Sequence, residues 1–368
     1  MINGQINKSG ERTVENLLAS LINEALKLEA SDIHFEPGES KGRVRYRIDG
    51  LLETAHIYSQ EKIASLSARL KLLTGLDITE REKIQEGLLQ WPKHNRKVEF
   101  RVSLMPTIRG EKIVLRRLIG EKNLLTLDQL GFSSQNLNYL QKLIHRNQGL
   151  IFLCGPTGSG KTTTLFACLK ELEDDNINII TLEDPVEIYL EKINQIQVQT
   201  DGGDNFADNL RSGLRQDPDV IMVGEIRDVE TARMAVRAAL TGHLVLTTIH
   251  TLDALGVILR LKEMGIPEYL IAETLLGVIA QRLLRKICLD CQGKGCLYCR
   301  ESGYNGRTAL QEVILVDDEF KDSIRKGGSR QELINIISQK NFKSLSDDGF
   351  DKAKRGLTNE EEVRRVLK

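Results

Sequence analysis

The run Gly155-Pro156-Thr157-Gly158-Ser159-Gly160-Lys161-Thr162 constrains this chain more than any other stretch of it. It follows the apolar segment Leu150-Ile151-Phe152-Leu153 and leads into a helical pattern from Thr162 to Leu172. Strand, glycine-rich turn and helix in that order make a phosphate-binding loop. The glycines allow consecutive backbone N–H groups to turn inward onto phosphate oxygens, and the helix N-terminus adds the positive end of its dipole. Lys161 can then reach the β- and γ-phosphates, the Thr162 hydroxyl can take a place on Mg²⁺, and Thr163 continues the first turn. A nucleoside triphosphate is the expected ligand.

A chain of 368 residues is long for one domain and comfortable for two. Lys and Arg number 51 against 52 for Asp and Glu, so no global field points to nucleic acid. No run of apolar residues approaches the length of a membrane span, and the first thirty residues or so hold no signal-peptide core, so a cytoplasmic protein is expected.

Ahead of the loop, apolar residues at Val14, Leu17, Leu18, Leu21, Ile22, Ala25 and Leu26 recur with helical period. Strand patterns follow at Asp32–Phe35 and around Val44, Tyr46 and Ile48, with Asp49-Gly50 as a hairpin turn into Leu51–Ile57. A helical pattern covers Ile63–Leu73, and strands are expected around Val98–Leu104 and Ile113–Leu118. These make a small α+β domain over residues 1–118, with 119–128 as a connector and an α/β domain over 129–368. Arg43, Arg45 and Arg47 alternate along one strand, which suits a solvated face. Arg101 and Arg116 raise the same question, and chemistry alone names no partner for either.

In the second domain four apolar strands each end in a polar group suited to phosphate chemistry. Ile151–Cys154 runs into the glycine loop. Ile177–Leu182 ends in Glu183-Asp184-Pro185, Val220–Gly224 in Glu225, and Leu244–Ile249 in His250. Ligands bind at the carboxyl ends of parallel strands, so these four points are expected to converge on one nucleotide. Glu225 suits the polarisation of the attacking water, with Glu183 as a second carboxylate on metal or water. His250 can sense the γ-phosphate by hydrogen bonding.

Four of the six cysteines fall at Cys288, Cys291, Cys296 and Cys299, two CxxC knuckles across a short spacer with two glycines. An all-thiolate set with no open position points to structural zinc, with an iron–sulfur cluster or metal-free thiols as alternatives.

With these residues in hand, the chain resembles the hexameric secretion-motor superfamily: the type II secretion, type IV pilus and competence ATPases. Gly155 to Thr164 is similar to the family's Walker A motif. Thr181 to Glu187 is similar to its Asp box, and Leu214 to Asp219 with Gly224 to Asp228 to its Walker B, in which a Glu stands where an Asp is expected. Gly242-His243-Leu244 through Thr251 is similar to its His box. The resemblance implies a RecA-like ATPase domain and a smaller PAS-like N-terminal domain that donates Arg101 and Arg116 to the nucleotide. Arginine fingers of this kind are worth about 10³–10⁵ in rate. It further implies a homohexamer hydrolysing Mg-ATP, working at the inner face of the membrane through an integral membrane platform protein, with no direct nucleic-acid partner.

The tetracysteine at 288–299, followed by Gly303 to Thr308, is similar to assembly and export members, whereas retraction motors lack it. The short N-terminal form looks like the competence ATPases of Gram-positive bacteria, whose pseudopilus serves DNA uptake. Leu252 stands where the family commonly has Asn, and the cysteine spacer is shorter than in many relatives. Two other classes remain to be weighed: a RecA-like DNA-handling motor, and a scaffold whose nucleotide only holds an oligomer. Charge balance counts against the first, and the presence of Glu225, Glu183 and both arginines against the second.

Overall fold

The structure, a computed structural model, describes residues 13–93, 96–118, 120–121, 124–198, 205–340 and 342–368. The chain divides into two units, Met1–Ile119 and Gly120–Lys368.

In the first unit, the Thr13 hydroxyl accepts from the Asn16 N–H and caps α1 (Val14–Lys27), which buries Leu17, Leu18, Leu21, Ile22, Ala25 and Leu26. The strands are β1 (Asp32–Glu36), β2 (Lys41–Ile48) and β3 (Leu51–Ser59), then, after α2 (Gln60–Thr74), β4 (Gln85–Lys93), β5 (Arg96–Thr107) and β6 (Gly110–Arg117). They form a six-stranded sheet in the order β3-β2-β1-β6-β5-β4, antiparallel at every pairing. Phe100, Val102 and Leu104 alternate into the core with Ile33, Phe35, Val44 and Tyr46. The strand β4 has no counterpart in the sequence reading. It lies at the sheet edge and carries Gly87 and Pro92, residues that weaken a strand pattern but are tolerated at an edge.

The opposite face of this sheet departs from a plain solvated surface. Asp32, His34 and Glu36 on β1 are buried between the arginines of β2 and the basic residues of β6. Glu36 accepts from Arg43 Nε at 2.9 Å and from Arg45, and its carboxyl is drawn down to about 2: burial opposes ionisation, but the arginines outweigh it. The alternating arginines are thus held in half-buried ion pairs.

The second unit begins with a 3₁₀ turn over Leu127–Leu130, whose Leu127 and Leu130 are buried. Its elements run α3 (Ser134–Ile144), β7 (Gly149–Cys154), α4 (Lys161–Leu172), β8 (Ile179–Glu183), β9 (Asn194–Gln197), α5 (Phe206–Gly213), β10 (Val220–Val223), α6 (Val229–Leu240), β11 (Leu244–Ile249), α7 (Ala254–Glu263), α8 (Glu268–Thr274), β12 (Leu275–Ile287), β13 (Tyr304–Leu315), α9 (Asp318–Arg325), α10 (Arg330–Ser338), α11 (Leu345–Lys354) and α12 (Glu360–Leu367). The seven-stranded sheet has the order β13-β12-β7-β11-β10-β8-β9. Strands β7, β8, β10 and β11 are buried along their whole length, as continuous apolar runs in a sheet covered on both faces must be. The expected parallel sheet needs one correction: β13 pairs antiparallel with β12. Those two long strands form a hairpin, and the four cysteines lie in its connection.

Candidate nucleotide site and cysteine knuckle

The glycine loop spans the end of β7 and the start of α4. Gly160 caps α4 at φ +87° and supplies no side chain to the first turn, which also lacks an acidic residue. The first N–H groups of α4 are therefore left to an external acceptor, whereas α6 and α7 are closed by Asp228 and Asp253. Lys161 Nζ donates to the carbonyls of Gly155 (2.7 Å) and Pro156 (3.0 Å). Burial pushes the Lys161 pKa down, and nearby Glu225 pulls it up. Pro156, Thr157, Gly158 and Thr162 are exposed, Gly160 and Thr163 half-buried, and Gly155 and Ser159 buried.

Strand β11 lies between β7 and β10, which brings His250 and Glu225 to neighbouring strand ends. Backbone contacts fix the turn that carries Glu225. The Gly224 N–H donates to Leu182 (2.8 Å), the Ile226 N–H to Thr248 (2.9 Å), and the Thr248 hydroxyl to Gly224 (2.8 Å). Glu225 Oε2 lies 3.3 Å from His250 Nε2, and Oε1 accepts from Arg227 Nε at 2.7 Å with a second guanidinium contact. Arg227 also reaches Asp184 at 3.4 Å. Arg227 lies within the Walker B-like segment, where sequence alone assigns it no role. An arginine two residues beyond a carboxylate at a strand end is too common a surface arrangement to signal one.

Glu183 closes β8 and is buried. Its Oε1 accepts from the Thr181 hydroxyl (2.6 Å) and the Gln195 amide (2.9 Å). Burial raises its pKa, with Thr181 and Gln195 opposing. Glu183 thus pairs with Thr181 and Gln195, while the neighbouring Asp184 is the residue that meets Arg227.

In the first unit, Arg101 and Arg116 sit directly opposite each other on β5 and β6. Like charges in that register repel. Each has an acid beside it: Arg101 donates to Glu86 at 2.6 Å, and Arg116 to the buried Asp32 at 2.9 Å. Both guanidiniums remain substantially exposed, at 41% and 63%.

The four cysteine sulfurs lie within 4.8 Å of one another. The distances are 3.9 Å for Cys288–Cys296, 3.6 Å for Cys291–Cys299 and 3.6 Å for Cys296–Cys299. A tetrahedral ion with metal–sulfur bonds of about 2.3 Å requires sulfur–sulfur edges of about 3.8 Å, so the set fits zinc. Cys299 also accepts from the N–H groups of Cys296 (3.2 Å) and Gly303 (3.3 Å). Burial acts against its ionisation, but those donors prevail and hold its pKa at about 6. Cys154 and Cys168 are buried, with thiols pushed up to about 12 by burial.

Residues 7–365 match the family described as type II/IV secretion system protein. The type II secretion system ATPase E of Vibrio cholerae is 42% identical over 377 residues, covering 96% of this chain and 75% of that protein. Among solved structures, the Legionella pneumophila ATPase DotB superposes with a TM-score of 0.75 at 26% identity, covering 98% of this chain and 97% of that one. The pilus retraction motor PilT with bound ADP gives 0.68 at 30% identity, covering 94% and 95%.

Proposed function

We propose how hydrolysis is organised in this chain, which belongs to the type II/IV secretion system protein family and is a motor ATPase of secretion and pilus machinery. The observation that carries the proposal is the cluster at the ends of β10 and β11, where Glu225 and His250 stand 3.3 Å apart. A P-loop strand β7 followed in the sheet by β11 and then β10, each ending in a functional group, supports a RecA-like nucleotide domain.

In the proposed mechanism the loop from Gly155 to Thr163 binds the phosphates of ATP through backbone N–H groups, and Lys161 neutralises β- and γ-oxygens. Thr162 is the residue that would hold Mg²⁺, which when bound screens phosphate charge and orients the terminal group. Glu225 polarises the attacking water, and His250 holds that carboxylate and reports the γ-phosphate. Arg227 must yield part of its grip on Glu225 for this. Glu183 acts as a second carboxylate on the metal or the water, oriented by Thr181 and Gln195. Arg101 and Arg116, on a PAS-like first unit, supply charge to the transition state within a homohexamer.

The cysteine knuckle carries structural zinc and supports an assembly or export motor that builds a pilus or pseudopilus. The motor works at the inner face of the membrane through an integral membrane platform protein. Among the described residues no helix is long and apolar enough to cross a membrane, in keeping with peripheral attachment. The competence branch rests on the sequence resemblance alone.

The test is ATP turnover by size-resolved fractions of the purified chain, with and without DNA. Hexamers that hydrolyse ATP without DNA support the proposal. Turnover that rises steeply with DNA transfers it to the DNA-handling class, and the absence of turnover even with the platform protein refutes it.

A further inference from the structure

The most polar point of the long strand β12 lies inside its most buried stretch. Gln281 and Arg282 interrupt the apolar run from Leu275 to Leu284, and Gln281 is 1% exposed. A buried amide is expensive unless its groups are paired, so its partners deserve a physical reason. The Gln281 amide is paired at both ends with the nucleotide loop. Its Nε2 donates to the Ser159 carbonyl at 2.9 Å, and its Oε1 accepts from the Thr164 hydroxyl at 2.9 Å, where Thr164 is fully buried in the first turn of α4.

One side chain from a neighbouring strand therefore spans the loop and the helix it feeds. Cys154, the last residue of β7, is in register with Ala280, so Gln281 stands one position past the point where the loop begins. The loop is shaped to accept it: a Cβ on Gly160 would lie 2.7 Å from Gln281 Nε2, and one on Gly155 would lie 2.4 Å from the Gln281 carbonyl. Arg282 braces the same backbone, donating to the Gln281 carbonyl (2.9 Å) and to the Leu252 carbonyl (2.5 Å) in the turn that follows His250.

We infer that Gln281 is a positioning residue for nucleotide binding, which orients the Ser159–Gly160 peptide and the first turn of α4 for phosphate. In a planar trans peptide the C=O and N–H point in opposite directions. Holding the Ser159 carbonyl against Gln281 turns the Gly160 N–H to the other side of the loop. Without that bond the peptide is free to rotate, and one phosphate donor is lost from the set. Gln281 does not touch nucleotide and acts only through the loop. This inference rests on the loop being the nucleotide site. It also gives the cysteine hairpin a direct tie to that site, because β12 runs on to Ile287 and Cys288 follows.

The test is calorimetric binding of MgADP, with ATP turnover, on the full chain carrying Gln281→Met, which keeps the length and removes both hydrogen bonds. Expected is MgADP binding about tenfold weaker and a KM for ATP raised to the same degree, with kcat within about threefold of wild type. Thr164→Val removes one of the two bonds and is expected to weaken binding about threefold. The double variant is expected to be no weaker than Gln281→Met alone, since the two changes remove a shared bond. A merely structural role would lower the melting temperature and leave the KM-to-kcat split unmoved. MgADP affinity within twofold of wild type in folded Gln281→Met, or in Thr164→Val should the first fail to fold, overturns the inference. Absence of MgADP binding by the wild type overturns the nucleotide-site reading itself.

Discussion

Glu362 is the residue whose removal has the most calculable consequence. It lies in α12 with its side chain fully enclosed, and it pins that helix to β12, the strand that also carries Gln281. Its Oε1 accepts from the Arg285 N–H (3.0 Å), and its Oε2 from Arg285 Nε (3.1 Å) and Nη2 (2.8 Å). Arg365 adds two more bonds at 2.7 and 2.6 Å, and the Arg285 guanidinium stacks 4.0 Å above the Tyr304 ring. Burial alone would raise the carboxyl pKa, but donation from Arg365 and Arg285 outweighs it and brings it from 4.5 to about 2.

A carboxyl depressed on folding stabilises the protein above its unfolded pKa and ceases to do so as the pH falls through the folded one. At about 1.4 kcal/mol per pH unit, this depression is worth about 3 kcal/mol at pH 7 and about 2 kcal/mol at pH 3.5. Glu362→Gln should therefore lower the melting temperature by about 6–12 °C at pH 7, by the scaling for a unit of this size. Chemical denaturation of both proteins at pH 7 and pH 3.5 checks the linkage: the gap must narrow in acid. A melting shift below about 2 °C at pH 7, or a gap as wide at pH 3.5 as at pH 7, refutes the reasoning.

Three further outcomes are expected, the first from the geometry of the loop and the other two from the zinc and arginine roles proposed above. Gly160→Ala places a Cβ at φ +87° and 2.7 Å from Gln281 Nε2, so it should cost more than about 1 kcal/mol in denaturation and abolish measurable nucleotide binding. Cys299→Ser replaces one thiolate with a hydroxyl, a far poorer zinc ligand. Zinc content by elemental analysis should fall from about one equivalent per chain to a small fraction of that, with a lower melting temperature, because the remaining three sulfurs cannot close a tetrahedron. On the proposed role of Arg116 at the transition state, Arg116→Ala should leave MgADP affinity within about twofold and lower kcat by about 10³ or more, read in steady-state hydrolysis.

The parts of the fold and site legible in sequence are those written as unbroken patterns. The glycine loop announces itself because only glycine tolerates its backbone, and β7, β8, β10 and β11 because fully buried parallel strands leave continuous apolar runs. Glu225 and His250 were legible as the first polar groups after such runs, and they meet at neighbouring strand ends. What escaped is long-range. Pairing of Arg43 and Arg45 with Glu36, and of Arg47 with Asp32, depends on the register of β1 against β2, which alternation along a single strand cannot reveal. The β12–β13 hairpin is hard to read because the stretches Gly277–Arg282 and Ala309–Ile314 are buried on both faces and lose the two-residue alternation that would distinguish an antiparallel pair. Gln281 did leave a signal, an amide and a guanidinium within an otherwise apolar strand. Its partners, Ser159 and Thr164, lie more than a hundred residues earlier in the chain.

The measurement that bears most directly on the proposed chemistry is single-turnover hydrolysis by Glu225→Gln alongside MgADP and MgATP affinity. The amide keeps the size of the side chain and removes the charge that polarises water. Nucleotide affinity should stay within about threefold, while the hydrolysis rate falls by about 10²–10⁴. If Glu225→Gln hydrolyses ATP at the wild-type rate, Glu225 is not the catalytic carboxylate, and Glu183 takes its place.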